Sequence, residues 1–126
     1  MTLPNSTASS TDSASAPPNT VVFLSGDLIF ASRVQAAATA AGLAFRLSGN
    51  LPLDLSHPVS HVIVDLSTRS KVVEELMPLC QSHYPDANVI AYAPHVQVDR
   101  IRAARTHGIP TVLTRGQFNE ALSTMF

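Results

Sequence analysis

His61-Val62-Ile63-Val64-Asp65-Leu66-Ser67 sets three β-branched residues in a row and ends them on a carboxylate. The run is too short for a buried helix. It also lacks the apolar–polar alternation of a strand with one wet face, so it is predicted as a strand buried on both sides, over His61 to Asp65. Such a strand needs helices above and below it, and the flanking sequence supplies them. Upstream, Val21-Val22-Phe23-Leu24 is a second run of the same kind, closed by the turn residues Ser25-Gly26-Asp27, and Ala44-Phe45-Arg46-Leu47 is a third strand. Downstream, Asn88 to Tyr92 and Thr111 to Leu113 are two more.

Between these runs the period changes to that of a helix. Leu28 to Ala41 places Leu28, Ala31, Val34, Ala38 and Ala41 on one face, with Gly42 as its C-cap. Ser70 to His83 turns Val72, Val73, Leu76, Leu79 and Cys80 inward, and Pro78 is expected to kink or shorten it. Val96 to His107 carries Val98, Ile101 and Ala104 inward with Ala103 beside them, and is stopped by Gly108 and Pro110; Gln117 to Thr124 forms a last short helix. Residues 48–60, with two prolines, leave room for one short helical turn and little more. Alternating strands and helices specify βαβ units and a parallel sheet. The predicted architecture is α/β, a flavodoxin-like three-layer fold with a five-stranded parallel sheet in the order 2-1-3-4-5, its second helix short or missing.

The totals narrow the function classes. The chain has 126 residues and a formal net charge of −1, and only 13% of it is charged. Residues 1–20 are mainly Ser, Thr, Ala, Asn and Pro and bury almost nothing, so they are predicted as a disordered tail ahead of a domain over 21–126. Asp12 is the tail's only charged side chain; subtracting it from the 9 acidic residues leaves 8 against 8 basic ones in the domain. A balanced domain has no broad basic field for nucleic acid and no polybasic membrane patch. No secretory signal and no membrane-spanning run is found, and Cys80 is the only cysteine, which fits a cytoplasmic protein in a reducing compartment.

In open α/β sheets ligands bind beyond the carboxyl ends of the strands. The sequence puts Ser25, Gly26 and Asp27 there after the first strand and Asp65, Ser67 and Thr68 after the third. Ala93, Pro94 and His95 follow the fourth, and Thr114, Arg115 and Gly116 the fifth. Asp27 suits a helix N-cap and also a metal or phosphate ligand. Asp65 suits a phosphoacceptor and also a structural hydrogen bond to the following turn. His95 is a third possible metal ligand with Asp27 and Asp65, though no short-range ligand spacing supports it. His57, His61, His83 and His107 read as surface or satisfied polar residues. Arg33, Arg100, Arg102 and Arg105 read as solvated helix faces with local partners such as Asp99. Cys80 reads as core. No Gly-rich phosphate loop or nucleophile elbow is present.

With those residues in place, roughly residues 21–124 resemble the response-regulator receiver domain, a chemotaxis-receiver-like module of two-component phosphorelays. The resemblance rests on Asp65 closing Val62-Ile63-Val64, Asp27 opening the first helix, Gly108-Ile109-Pro110-Thr111-Val112-Leu113-Thr114-Arg115, and the five alternating units. It implies that Asp65 accepts a phosphoryl group, that Asp27 and Asp65 hold Mg²⁺, and that Arg115 contacts phosphate where the family carries Lys. Gly26 stands where a second Mg²⁺-binding acid belongs, and Ala93 stands where a hydroxyl would bind the phosphoryl group. Asp27-Leu28-Ile29-Phe30-Ala31-Ser32-Arg33-Val34 is also similar to the first helix of a group of bacterial receiver-like proteins with a DLxFxSRV-type pattern. The resulting expectation is a stand-alone, degenerate receiver-like signalling or protein-interaction module: not an enzyme, without efficient Asp phosphorylation, and with a protein partner docking near the fourth-strand helix and fifth strand. The alternatives are a phosphorylatable receiver using Asp65 with Mg²⁺, and a small-molecule or nucleotide-binding α/β protein.

Overall fold

A computed structural model describes residues 18–126, so the expected tail over 1–20 lies, but for its last three residues, outside the described residues. Five strands form one parallel sheet in the order β2-β1-β3-β4-β5: β1 Thr20–Leu24, β2 Ala44–Ser48, β3 Val59–Asp65, β4 Asn88–Ala93 and β5 Thr111–Thr114. The helices are α1 Leu28–Ala40, α2 Leu66–Arg69, α3 Val73–His83, α4 Val98–Thr106 and α5 Arg115–Met125. A single 3₁₀ turn, Ser70–Val72, separates α2 from α3. The predicted layers and strand order are those found.

Double burial of the central strands divides the core in two. Alternate side chains of β1, β3 and β4 point to opposite faces. Val22, Leu24, Val62, Val64, Val89 and Ala91 pack with Leu76, Cys80, Ile101 and Ala104 of α3 and α4. Val21, Phe23, Ile63, Ile90 and Tyr92 pack with Phe30, Val34, Ala38, Phe118 and Leu122 of α1 and α5. On that second face Tyr92 stacks on Phe118 at 4.4 Å between ring centres, and Phe30 tilts against both. Gly42 and Gly108, at φ 78° and 85°, end α1 and α4 in the left-handed conformation that glycine adopts without steric cost. In each case the next residue returns its N–H to the helix, Leu43 to the Ala38 carbonyl and Ile109 to the Ala104 carbonyl.

Several boundaries and faces differ from expectation, each for a local reason. Helix begins at Leu66, immediately after the strand, because Asp65 caps it; the expected start at Ser70 falls on the 3₁₀ turn. Pro78 sits inside α3 without ending it. The last helix starts at Arg115, since Thr114 and Gln117 form a reciprocal capping box. Leu28 is 70% exposed and Phe30 takes its inward place, because Leu28 is the first residue after the Asp27 cap. Ala41 is the C-cap of α1 and is exposed. Val98 and Ala103 on α4 are likewise exposed, leaving Ile101 and Ala104 as its buried residues. Residues 49–58 contain no helix, so the second helix of the fold is missing.

Candidate functional site

The register of the sheet carries Ser25, Asp65 and the end of β4 to one edge. Leu24 pairs with Val64, and Asp65 with Tyr92, so the loops after β1 and β3 lie side by side. Asp65 is 4% exposed, as is Ser25. A carboxylate so buried needs donors, and this one has three. Ser25 Oγ and Thr68 Oγ1 each donate to Asp65 Oδ2 at 2.9 Å, and the Ser67 N–H donates to Oδ1 at 3.0 Å. The two hydroxyls pass the network on. Ser25 Oγ accepts the Asp27 N–H at 2.9 Å, and Thr68 Oγ1 accepts the Gly26 N–H at 3.0 Å. The loop after β1 is therefore tied to the turn after β3 through a single buried carboxylate.

Asp27 is engaged as well. Its Oδ1 accepts the Phe30 N–H at 3.0 Å, the N-cap of α1, and its Oδ2 accepts from Arg115 Nη2 at 3.2 Å. The Arg115 guanidinium lies 4.8 Å from the centre of the Phe30 ring, so it is held by a carboxylate and an aromatic face together. Arg115 thus pairs with Asp27 and, among the described residues, makes no hydrogen bond to Asp65. The neighbouring Tyr92 hydroxyl has its pKa raised, by burial first and then by the charge of Asp65.

A second set of ties joins the turn after β3 to α4. Ser67 Oγ donates to Gln97 Oε1 at 3.1 Å, and Arg100 Nη1 donates to the carbonyls of Ser67 and Leu66 at 2.9 and 3.2 Å. Arg100 therefore serves the short helix α2, whereas a solvated role was expected of it. Arg102 pairs on the surface with Asp99 at 3.6 Å, as expected of the α4 arginines. His61 packs edge-on against Phe126 and bonds Ser60, and Cys80 is core.

Of the expected site residues, Asp27, Asp65 and Arg115 share the strand-end region. His95 is exposed on the loop after β4 and is not gathered with them: among the described residues no three His, Cys, Asp or Glu side chains are arranged to hold a metal ion. All four carboxylate oxygens of Asp27 and Asp65 already accept protein hydrogen bonds, and Gly26 supplies no side-chain oxygen. That arrangement makes a poor Mg²⁺ site, since these carboxylates would have to give up or share their protein hydrogen bonds to enter octahedral coordination. Sequence reasoning placed Ser25, Ser67 and Thr68 at the strand ends without giving them a role, read Arg100 as a solvated residue, and passed over Gln97. Position, within three residues of Asp65 or at the end of a neighbouring strand, is the signal for the first three; Gln97 and Arg100, at the start of α4, carry none.

No protein-family model matches the chain, and no curated protein matches it in sequence. Solved structures do match in fold, and they are response-regulator receiver domains. A response regulator from Burkholderia pseudomallei, solved with a phosphorylated aspartic acid, a calcium ion and citrate, superposes with a TM-score of 0.62 at 19% identity, covering 84% of this chain and 67% of its own. The chemotaxis response regulator CheY4 of Vibrio cholerae gives 0.66 at 14% identity, covering 86% and 95%. The receiver domain of Ssk1 from Saccharomyces cerevisiae, solved with the histidine phosphotransfer protein Ypd1, gives 0.61 at 11% identity, covering 79% and 80%. The chain has the receiver fold.

Proposed function

We propose that this protein is a signalling module that works by binding a protein partner, with Asp65 as a structural hub in place of an efficient phosphoacceptor. The supporting observation is the state of Asp65 itself, buried to 4% exposure with both oxygens satisfied by Ser25, Ser67 and Thr68. An attacking carboxylate oxygen needs an open line of approach to a phosphorus atom and a counter-cation for the developing charge. Here Asp65 offers neither, Arg115 is committed to Asp27, and Ala93 supplies no hydroxyl. We assign the protein no metal and no catalytic activity of its own, and we place it in the cytoplasm. Among the described residues no helix is long and apolar enough to cross a membrane.

The partner surface we assign is α4 with β5. Val96 and Val98 stand 73% and 51% exposed at its start, and Arg102 and Arg105 are exposed further along. Exposed apolar side chains rimmed by arginine suit a protein partner with an acidic border. The deciding experiment is to treat the protein with acetyl phosphate or beryllofluoride in Mg²⁺ and follow Asp65 by intact mass and NMR. Absence of an adduct at millimolar Mg²⁺ is the expected result. A Mg²⁺-dependent adduct that disappears in Asp65→Asn would overturn the reading in favour of a phosphorylatable receiver.

A further inference from the structure

We propose that the groove left open by the missing helix between β2 and β3 binds a nucleoside monophosphate, its phosphate at Arg69 and Lys71 and its base along α3. This site adjoins the strand-end network at Thr68 and does not depend on the role of Asp65. Helical spacing directs Val72 and Leu79 inward, yet both are only half-buried, because residues 49–58 carry no helix to cover them. Two adjoining hollows of about 460 and 340 Å³ result, sharing Asn50, Lys71 and Val72 as a common wall. Their sizes fall in the range of small-molecule sites. The opposite wall is held in place: the Tyr84 hydroxyl donates to the Pro52 carbonyl, and Ser48 Oγ donates to the Asn50 carbonyl at 2.7 Å.

The larger hollow is cationic. Gly49, Thr68, Arg69, Ser70 and Lys71 line it, with no carboxylate among its residues. Among the described residues Arg69 and Lys71, the chain's single lysine, form no ion pair. Among the described residues the only hydrogen bond of the Arg69 side chain runs from Nη1 to its neighbour's carbonyl, that of Thr68, at 3.2 Å, and its buried Nε has no acceptor there. The guanidinium lies close against Gly49 and in ordinary contact with Gly26. A Cβ at Gly49 would come within 3.3 Å of Arg69 Nη2, and one at Gly26 within 3.8 Å. A guanidinium fixed in position with donors to spare, beside an ammonium and the hydroxyl of Ser70, matches the oxygens of a phosphomonoester.

The smaller hollow explains why the ligand carries a ring. Leu51, Val72, Leu76 and Leu79 give it an apolar wall, and Glu75 places one carboxylate there to accept a ring N–H or amino group. Phosphate at one end, apolar surface and a hydrogen-bond acceptor at the other describe a nucleotide more closely than free phosphate or a lipid.

The test uses the full chain. Titrate it, ¹⁵N-labelled, with the 5′-monophosphates of adenosine, guanosine, cytidine and uridine, and separately with adenosine and with inorganic phosphate. At least one monophosphate is expected to shift the amides of Gly49, Asn50 and Ser70–Val72 with Kd below about 1 mM, and to bind about tenfold tighter than phosphate or nucleoside alone. Arg69→Gln and Lys71→Gln should each weaken it about tenfold, the loss expected of one charge-assisted contact. Gly49→Ala should weaken it by less than the charge-removing variants, with every charge retained, by shifting the guanidinium a few tenths of an ångström. The proposal is overturned if none of the four shifts those amides, if the shifts fall on Asp27, Asp65 and Arg115 instead, if phosphate binds as tightly as the nucleotides, or if the variants bind normally. Should a variant fail to fold, the shift map and the phosphate comparison on the unaltered chain decide the matter alone.

Discussion

Replacing Asp65 by Asn separates a structural carboxylate from a catalytic one by the sign of its effect on stability. The amide keeps the size of the side chain but has one acceptor where the carboxylate has two. With its oxygen opposite the Ser67 N–H, its NH₂ faces the hydroxyls of Ser25 and Thr68, and both lose the acceptor they now share at 2.9 Å. Flipped, the NH₂ meets the Ser67 N–H, donor against donor. Hydrogen bonds to a charged group contribute about 1.5–3 kcal/mol each. Two are lost, partly offset because the amide can donate to the hydroxyls' remaining lone pairs, so Asp65→Asn should cost about 2–3 kcal/mol. For a domain of about 100 residues that lowers Tm by about 10–20 °C. An acid held unsatisfied near Asp27 would give the opposite result, since removing its charge relieves repulsion. Urea unfolding followed by far-UV circular dichroism measures the difference, the chain having no Trp to report by fluorescence. An unchanged or higher midpoint at unchanged slope would refute the hub. Ser25→Ala closes a double-mutant cycle with it, and the coupling should reach about 1–2 kcal/mol because the two share a bond.

Other perturbations follow from the same contacts. Thr68→Val keeps the shape but releases the exposed Gly26 N–H to water and removes one bond to Asp65, and should cost about 1–2 kcal/mol by the same unfolding measurement. Arg115→Ala removes a partly exposed ion pair and a cation–π contact, and should cost about 1 kcal/mol or less, shrinking as salt is added. Burial holds the His61 imidazole below its ordinary pKa, against a smaller opposite effect of the Met125 backbone. Its contribution is therefore full above about pH 6.5 and is lost as pH falls below that value; His61→Gln should flatten the acid side of the stability–pH curve there. Burial pushes the Cys80 thiol up to about 11, so iodoacetamide at about pH 8 should label it only after unfolding in urea; labelling of the native protein would contradict its place in the core.

The fold was legible because each level of the sequence agrees with the next. Val62-Ile63-Val64 and Val21-Val22-Phe23-Leu24 are too apolar for a strand with one wet face, so they imply covering layers, and the helical periods between them supply those layers. Misplaced boundaries fall at caps. Asp65, Asp27 and Thr114 start their helices earlier or in a different phase than apolar spacing indicates, which is why Leu28 faces outward. The candidate residues Asp27, Asp65 and Arg115 were also legible, since strand ends can be counted. Their bonds were not, because a serine or threonine in a turn looks the same in sequence whether its hydroxyl meets water or a buried carboxylate.

From its sequence alone this protein has its layer architecture, its strand order and the gathering of two acids and an arginine at one edge of the sheet. These follow from period and handedness, which are local properties of the chain. Only the tertiary structure decides what those residues do. Ser25 and Asp65 are 40 positions apart, and Arg115 and Asp27 are 88. Whether a carboxylate is left open for chemistry or spent on holding loops together depends on which distant donors the fold brings within hydrogen-bonding distance. The open groove beside α3 has the same origin: Val72 and Leu79 are written as core, and the missing helix over residues 49–58 leaves them facing a cavity.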